Sequence, residues 1–325
     1  MSAMFLRAIA LGLLGIAIAY AQEQPIFRVD VRQVYLPFLP VAKGRVVDGL
    51  IREHVRVFEN NTEQKVLSLT RHAQHPIALA LMLDSTGSMR AYYGELISRK
   101  DKLEIVRNAA KDLLRSLFRP GKDVGLVAEF FLDGYSPIPY INQDWTNDLV
   151  QLERGIASIN DASGSTPVRD AAYNLAGKFA SIEGTYLRVA VILSDGLDTE
   201  DNTYTLEKAI AQLQRWQVLV YAVGMYKELP FMERGKHSPD VLRKIAEETG
   251  GVMFYEANLG HLAEVFRYIS DTIRNVYFLS YAPTNNEDGK RVIRVEIGAR
   301  DAKGKWHRQK ATIFHRKGYI YKKQP

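Results

Sequence analysis

From Pro76 to about Asn275, short apolar runs without alternation are separated by stretches whose apolar residues recur every three or four positions. The runs are Ile77–Leu83, Val124–Phe131, Leu187–Leu193, Val218–Val223 and the shorter Val252–Tyr255. An unbroken apolar run suits a strand buried on both faces. Between the runs, Leu103, Val106, Ala110, Leu113 and Leu117 share one helical face. Leu149, Leu152 and Ile156 do the same, as do Leu206, Ile210 and Leu213. Leu242 and Ile245, then Leu262, Val265, Phe266 and Ile269, continue the series. This alternation predicts an α/β fold: a doubly wound, mostly parallel sheet flanked by helices, with right-handed crossovers.

The flanks keep a different rhythm, with a period near two. Phe27, Val29 and Val31 alternate with polar residues, and Val55, Val57, Val66, Leu67 and Leu69 follow turn signals at Gly44 and Asp48-Gly49. Pro37 and Pro40 exclude a helix, so three or four short strands are expected before Pro76. The same period returns at Val276–Tyr281, at Ile293, Val295 and Ile297, and at Trp306–Phe314. Asp288-Gly289 and Lys303-Gly304 stand where hairpin turns belong. The expected division is a leader at 1–21, a β segment at 22–75, the α/β domain at 76–275 and a second β segment at 276–325. Each β segment has an apolar face to cover, so the two are expected to join in one smaller β domain; two separate appendages are the competing arrangement.

The leader is read from Arg7, the apolar run Ala8–Ala19 and the small-x-small Ala19-Tyr20-Ala21, with cleavage near Ala21-Gln22. The run is shorter than the roughly 20 residues of a membrane span, and no later segment is apolar enough to span a bilayer. Cysteine is absent, which excludes disulfides, zinc-thiolate sites and thiol nucleophiles. Export without disulfides suits a bacterial periplasm or the cell exterior. The net charge of +6 becomes +5 without Arg7, a weak preference for acidic partners. In the tail, Lys303, Lys305, Arg308, Lys310, Arg316, Lys317, Lys322 and Lys323 alternate with Trp306, Phe314, Tyr319 and Tyr321. Export argues against nucleic acid as a partner, and the tail reads as a solvated strand face in preference to an anionic-lipid or polyanion site.

Candidate chemistry collects at strand ends. Asp84-Ser85-Thr86-Gly87-Ser88 leaves the carboxyl end of the first buried run with oxygen-bearing side chains at alternate positions. Asp195, in Ser194-Asp195-Gly196, ends another run and arrives at the same edge, where open α/β sheets bind ligands. Ser163-Gly164-Ser165-Thr166-Pro167 is a loop opening a helix, with Pro167 suited to the first turn. Two carboxylates brought together repel unless a proton or cation intervenes, and hydroxyls complete an all-oxygen shell for a hard ion. Asp84, Thr86, Ser88, Thr166 and Asp195 thus suit Mg2+, Mn2+ or Ca2+ better than zinc or copper. Each segment alone also reads as a turn or helix cap; the conjunction of three favours the metal.

Leu83-Asp84-Ser85-Thr86-Gly87-Ser88-Met89, Gly164-Ser165-Thr166-Pro167 and Ile192-Leu193-Ser194-Asp195-Gly196 resemble, in order and spacing, the metal-ion-dependent adhesion site of von Willebrand factor A domains. The one departure is Thr86 where serine is usual, and it keeps the hydroxyl. With Val55-Arg56-Val57-Phe58-Glu59, Tyr277-Phe278-Leu279-Ser280-Tyr281 and Arg316-Lys317-Gly318-Tyr319 at the flanks, the whole chain resembles exported VWFA-related proteins abundant in acidobacteria. The resemblance implies that Thr86 and Ser88 ligate the ion directly, and Thr166 in a ligand-occupied state. Asp84 and Asp195 then act directly or through water, and an acidic side chain of a partner protein completes the octahedron.

The expected function is therefore a metal-dependent protein-binding module without catalysis. A metal-assisted hydrolase and a module whose metal only stabilises its loops are the alternatives. Gly-x-Ser-x-Gly, His-Glu-x-x-His and Gly-x-x-x-x-Gly-Lys patterns are all missing. His72 and His75 have the wrong spacing for a helical zinc pair, and His237 and His261 lie in polar helical contexts. Asp198 and Asp201 read as a solvated acidic loop in preference to a gate over the site. Oligomeric state leaves no mark in the sequence.

Overall fold

The computed structural model describes residues 33–71, 75–86, 99–134, 138–160, 164–194, 198–199, 202–225, 240–256 and 259–321. The leader and the Phe27–Val31 alternation lie outside these residues. In chain order the elements begin with strands β1 (Val34–Ala42), β2 (Arg45–Val46), β3 (Val55–Glu59), β4 (Thr62–Gln64), β5 (Val66–Arg71) and β6 (Ile77–Asp84). Helix α1 (Arg99–Leu117), β7 (Val124–Phe130), β8 (Tyr140–Thr146), α2 (Leu149–Ser158), α3 (Val168–Lys178) and β9 (Leu187–Ser194) follow. Next come α4 (Leu206–Arg215), β10 (Leu219–Gly224), α5 (Asp240–Thr249), β11 (Met253–Tyr255) and α6 (Leu262–Arg274). The last strands are β12 (Tyr277–Tyr281), β13 (Gly289–Arg300), β14 (Trp306–Arg308), β15 (Thr312–His315) and β16 (Gly318–Tyr321).

The unbroken apolar runs form a six-stranded sheet of order β11-β10-β9-β6-β7-β8. Its first five strands are parallel. The sheet is nevertheless mixed, because β8 runs antiparallel to β7 at the edge. The apolar pattern missed β8: Tyr-Ile-Asn-Gln-Asp-Trp-Thr is half-buried and largely polar, which an edge strand tolerates. Every residue of β6 is buried, so the middle of the sheet has no solvent face. Leu79, Leu81 and Leu83 pack under α1, α2 and α6, while Ala78, Ala80 and Met82 pack under α3, α4 and α5. Burying one such leucine contributes about 1.5–3 kcal/mol.

Asp123 fastens the sheet at the edge where β6 starts. It is fully buried and accepts from the backbone N–H of Ile77 at 2.9 Å and from Arg274 Nη2 at 2.7 Å, and it pairs with Arg119 at 3.1 Å. Burial alone would raise its pKa; the hydrogen bonds from Arg119, Arg274 and the Ile77 N–H outweigh it and hold the carboxyl below its usual value.

Two further sheets combine strands from before and after the α/β portion. One has the order β15-β1-β12-β5 with β2 on β1; the other has β14-β13-β3-β4 with β16 on β13. Leu36, Phe38, Val57, Leu279, Val295 and Ile297 form their shared core. Five strands lie between Val34 and Arg71, more than the three or four expected. The expected strand Trp306–Phe314 divides into β14 and β15, which join different sheets. Pro37 and Pro40 sit inside β1 without breaking it. β1 pairs with β12 over Val34–Phe38 and with β15 over Phe38–Val41; Pro37 has only β12 beside it, and Pro40, beside β15, still accepts from the Val47 N–H at 2.8 Å through its carbonyl.

A buried polar group stitches this core. Glu59 is 3% exposed; its carboxylate accepts from Tyr281 Oη and Tyr319 Oη, each at 2.8 Å, and Arg291 Nε lies 3.3 Å away. No helix among the described residues is long and apolar enough to cross a membrane.

Candidate metal centre

β6 delivers Asp84 to the carboxyl edge of the sheet, 2% exposed. The chain turns there around its own side chain: the Thr86 N–H donates to Asp84 Oδ1 at 2.9 Å, and the Thr86 hydroxyl donates to the same oxygen at 2.5 Å. Such an Asx-type turn is what a short polar residue at a strand end favours. The other carboxylate oxygen, Oδ2, accepts from the Ser194 hydroxyl at 2.6 Å. Ser194 reaches it because β9 lies beside β6, with Leu83 opposite Leu193.

Thr166 comes from a different segment and stands with its Oγ1 2.9 Å from Thr86 Oγ1, 1% exposed. Its position is set by the segment after β7. Ser165 and Leu132 exchange backbone hydrogen bonds at 3.0 and 3.2 Å. Gly164 makes that approach feasible: its φ is +140°, and a Cβ there would meet the Leu132 carbonyl oxygen at 2.3 Å. Pro167 precedes α3 as its N-cap residue instead of opening the first turn.

Asp198, expected in a solvated loop, is 8% exposed and turned into the protein. It caps α3 by accepting from the Val168 N–H at 2.9 Å and pairs with Arg169 Nε at 2.6 Å. Asn202 Nδ2 adds a third donor at 3.0 Å. Burial pushes its carboxyl above the ordinary value, with Arg169 opposing. The Thr199 N–H donates to the Thr166 carbonyl at 3.0 Å, and Asp170 accepts from the N–H groups of Thr203 and Tyr204 at 2.9 and 2.8 Å. These contacts tie the Thr166 loop to the loop that follows β9. The acidic character of Asp198 is therefore spent on Arg169 and the start of α3, an arrangement the composition of its own loop did not disclose.

The structure thus brings Asp84, Thr86 and Thr166 together; Ser88, Asp195 and Asp201 lie outside the described residues. The three oxygens fit a hard dication. In an octahedral shell with bonds of about 2.1 Å, neighbouring ligand oxygens stand about 3 Å apart. The Thr86–Thr166 separation of 2.9 Å matches that edge, while Asp84 Oδ1 stands closer to Thr86 Oγ1, at the 2.5 Å of a short hydrogen bond. All donors are oxygen, and among the described residues no cluster of three histidine or acidic side chains offers another metal site. Ser194 and Arg169 were missed by sequence reasoning. Ser194 had a signal: it is the one hydroxyl closing the apolar stretch Val189–Leu193. His261 is exposed, with its Nδ1 3.5 Å from Glu256, and His72 and His237 lie outside the described residues.

Comparison with known proteins places these observations. The family model of the von Willebrand factor type A domain matches residues 78–267. No curated protein matches the chain. Among solved structures, proximal thread matrix protein 1 from the mussel byssus is similar at 14% identity and a TM-score of 0.51, over 66% of this chain and 50% of that one. The same mussel protein with a zinc-occupied MIDAS motif matches at 14% identity and a TM-score of 0.50, over 66% of this chain and 49% of that one. A von Willebrand factor type A protein from Catenulispora acidiphila matches at 14% identity and a TM-score of 0.46, over 87% of this chain and 72% of that one. The chain thus covers about half the length of the mussel protein.

Proposed function

The chain belongs to the von Willebrand factor type A domain family, and on that premise we propose that it is an exported, metal-dependent protein-binding module that captures an acidic side chain of its partner. Asp84, Thr86, Ser88, Thr166 and Asp195 hold a divalent ion, with Mg2+ or Mn2+ preferred and Ca2+ admissible. The observation carrying this reading is the convergence of Asp84 Oδ1, Thr86 Oγ1 and Thr166 Oγ1 from two separate loops, at 2.5 and 2.9 Å between neighbours. A bound dication supplies a Lewis-acidic position for a partner's carboxylate oxygen. Asp84 contributes charge, and its hydrogen bond from Ser194 orients it. Thr86 and Thr166 contribute oxygens without further charge, which leaves the ion positive enough to attract an anion. The mussel relative's zinc belongs to that protein; the oxygen-only donors here favour harder cations.

The structural alternative asks an acidic side chain of the same chain to close the site. Asp198, engaged by Arg169 and the α3 N-terminus, does not serve, and Asp201 lies outside the described residues. The hydrolytic alternative lacks a described histidine beside Asp84, Thr86 and Thr166.

The test uses Mn2+ as ion and water-proton relaxation as readout. Bound Mn2+ is expected to enhance relaxation through an exchangeable water, and a glutamate-containing peptide to reduce that enhancement, while the glutamine peptide leaves it unchanged. Equal effects of both peptides would remove the acidic-ligand claim. Metal-dependent turnover of a nitrophenyl ester, abolished in Asp84→Ala, would establish hydrolysis instead.

A further inference from the structure

β5 ends at Arg71 shortly before β6 begins at Ile77, so the paired N- and C-terminal strands attach at the edge of the large sheet opposite Asp84. One of their sheets, β14-β13-β3-β4, turns Val57, Val295 and Ile297 inward. Its outward face carries an alternating row of guanidinium groups and rings. Arg294 lies 3.9 Å from the Phe58 ring centre, Arg56 lies 5.0 Å from the same ring and 5.4 Å from Trp306, and Arg300 lies 6.0 Å from Trp306. These cation–π contacts restrict the guanidinium groups and lower the entropy cost of engaging an anion.

The row runs beside a groove of about 540 Å³, to which Arg52, Lys65 and Glu53 also contribute. A second concavity of about 230 Å³ adjoins it through His54 and Ala299. Glu63 brackets Arg56, with Nε–Oε1 at 2.8 Å, and Glu296 holds Arg294, with Arg308 3.9 Å away. Six cations (Arg52, Arg56, Lys65, Arg294, Arg300 and Arg308) thus face three carboxylates (Glu53, Glu63 and Glu296). Lys65 and Arg300 are in no ion pair among the described residues. The positive excess is carried by the sheet together with the turn before β3 and the link from β4 to β5.

We propose that this face binds an extended acidic polysaccharide, whose carboxylate or sulfate groups line up with the guanidinium row. Nucleic acid fits less well: the arginines already cover the rings on which bases would stack. A protein partner needs an apolar anchor; the groove's indole, Trp306, is partly buried and lies against the guanidinium groups of Arg56 and Arg300. The tail residues Trp306 and Arg308, read from the sequence as a solvated strand face, belong to this surface. The inference is independent of the metal site.

The test measures binding of the full chain to immobilised oligogalacturonate and to a heparin-derived oligosaccharide, with chelator present. Saturable binding to at least one is expected, weakening as salt rises. Lys65→Gln/Arg300→Gln, which breaks no ion pair among the described residues and removes one exposed bond from Arg300 to the Gly304 carbonyl, is expected to lower affinity at least about tenfold with native circular dichroism, and Arg56→Lys to lower it less. Absence of binding to both saccharides would overturn the proposal, as would binding indifferent to Lys65→Gln/Arg300→Gln. Tighter binding to oligothymidylate or to phosphatidylserine vesicles would overturn it in favour of nucleic acid or membrane.

Discussion

Asp84 concentrates the chemistry at the scale of single residues, and its neighbours decide what it can do. Ser194→Ala removes the hydroxyl that meets Oδ2 at 2.6 Å. Loss of a buried donor to a carboxylate costs about 1–3 kcal/mol, so a lower denaturation midpoint and a several-fold weaker Mn2+ affinity are expected. Arg169→Ala leaves Asp198 buried without its cation; a cost of about 3–5 kcal/mol is expected in urea unfolding. The meeting of Asp84, Thr86 and Thr166 was legible in the sequence because Asp84 and Thr86 close a buried apolar run and Thr166 stands in a loop that opens a helix. Arg169 and Asp198 were not. An aspartate in an acidic loop looks solvated until the partner on another segment is located, and nothing in either segment alone names the other.

At the scale of elements, the apolar runs located the five parallel strands and the recurring apolar residues located α1, α2, α4, α5 and α6, while α3 was expected only from the Pro167 loop before it. Burial on both faces leaves that imprint whatever surrounds it. β8 escaped because an edge strand needs no apolar face of its own, and β14 and β15 merged into one because the pattern does not reveal when a chain crosses between sheets. Gly164 joins an element-level feature to the site. Gly164→Ala places a Cβ 2.3 Å from the Leu132 carbonyl oxygen at φ +140°, so the bridge to Leu132 must open. Thr166 then moves, and metal affinity is expected to fall by about tenfold or more, the equivalent of at least about 1.4 kcal/mol. Calorimetric titration checks this, and far-ultraviolet circular dichroism is expected to remain native because the strands carrying the core are untouched.

For the whole molecule, two sheets built from both ends of the chain sit against one α/β layer, and His315 lies buried where they meet: Gly250, just after α5, approaches the His315 backbone closely. Burial pushes its imidazole down to about 4. The fold therefore holds it neutral, while the unfolded chain protonates it near pH 6.5. The unfolded state binds more protons between those values, so this contribution is complete above about pH 6.5 and is lost as pH falls toward 4. The loss amounts to roughly 3 kcal/mol. His315→Gln is expected to flatten the stability profile between pH 6.5 and 4 in urea titrations, and an unchanged slope would remove His315 from the account.

Residues from three segments are proposed to form one metal site at the carboxyl edge of the sheet. Calorimetric titration with Mg2+ and Mn2+ tests it most directly, run on the parent chain and on Asp84→Ala, Thr166→Ala and Asp195→Ala variants that retain native circular dichroism. Saturable binding is expected in the parent, lost in both aspartate variants and weakened in Thr166→Ala. No saturable binding in the parent, or binding that survives both aspartate substitutions, would contradict it and leave these residues as turn and helix caps.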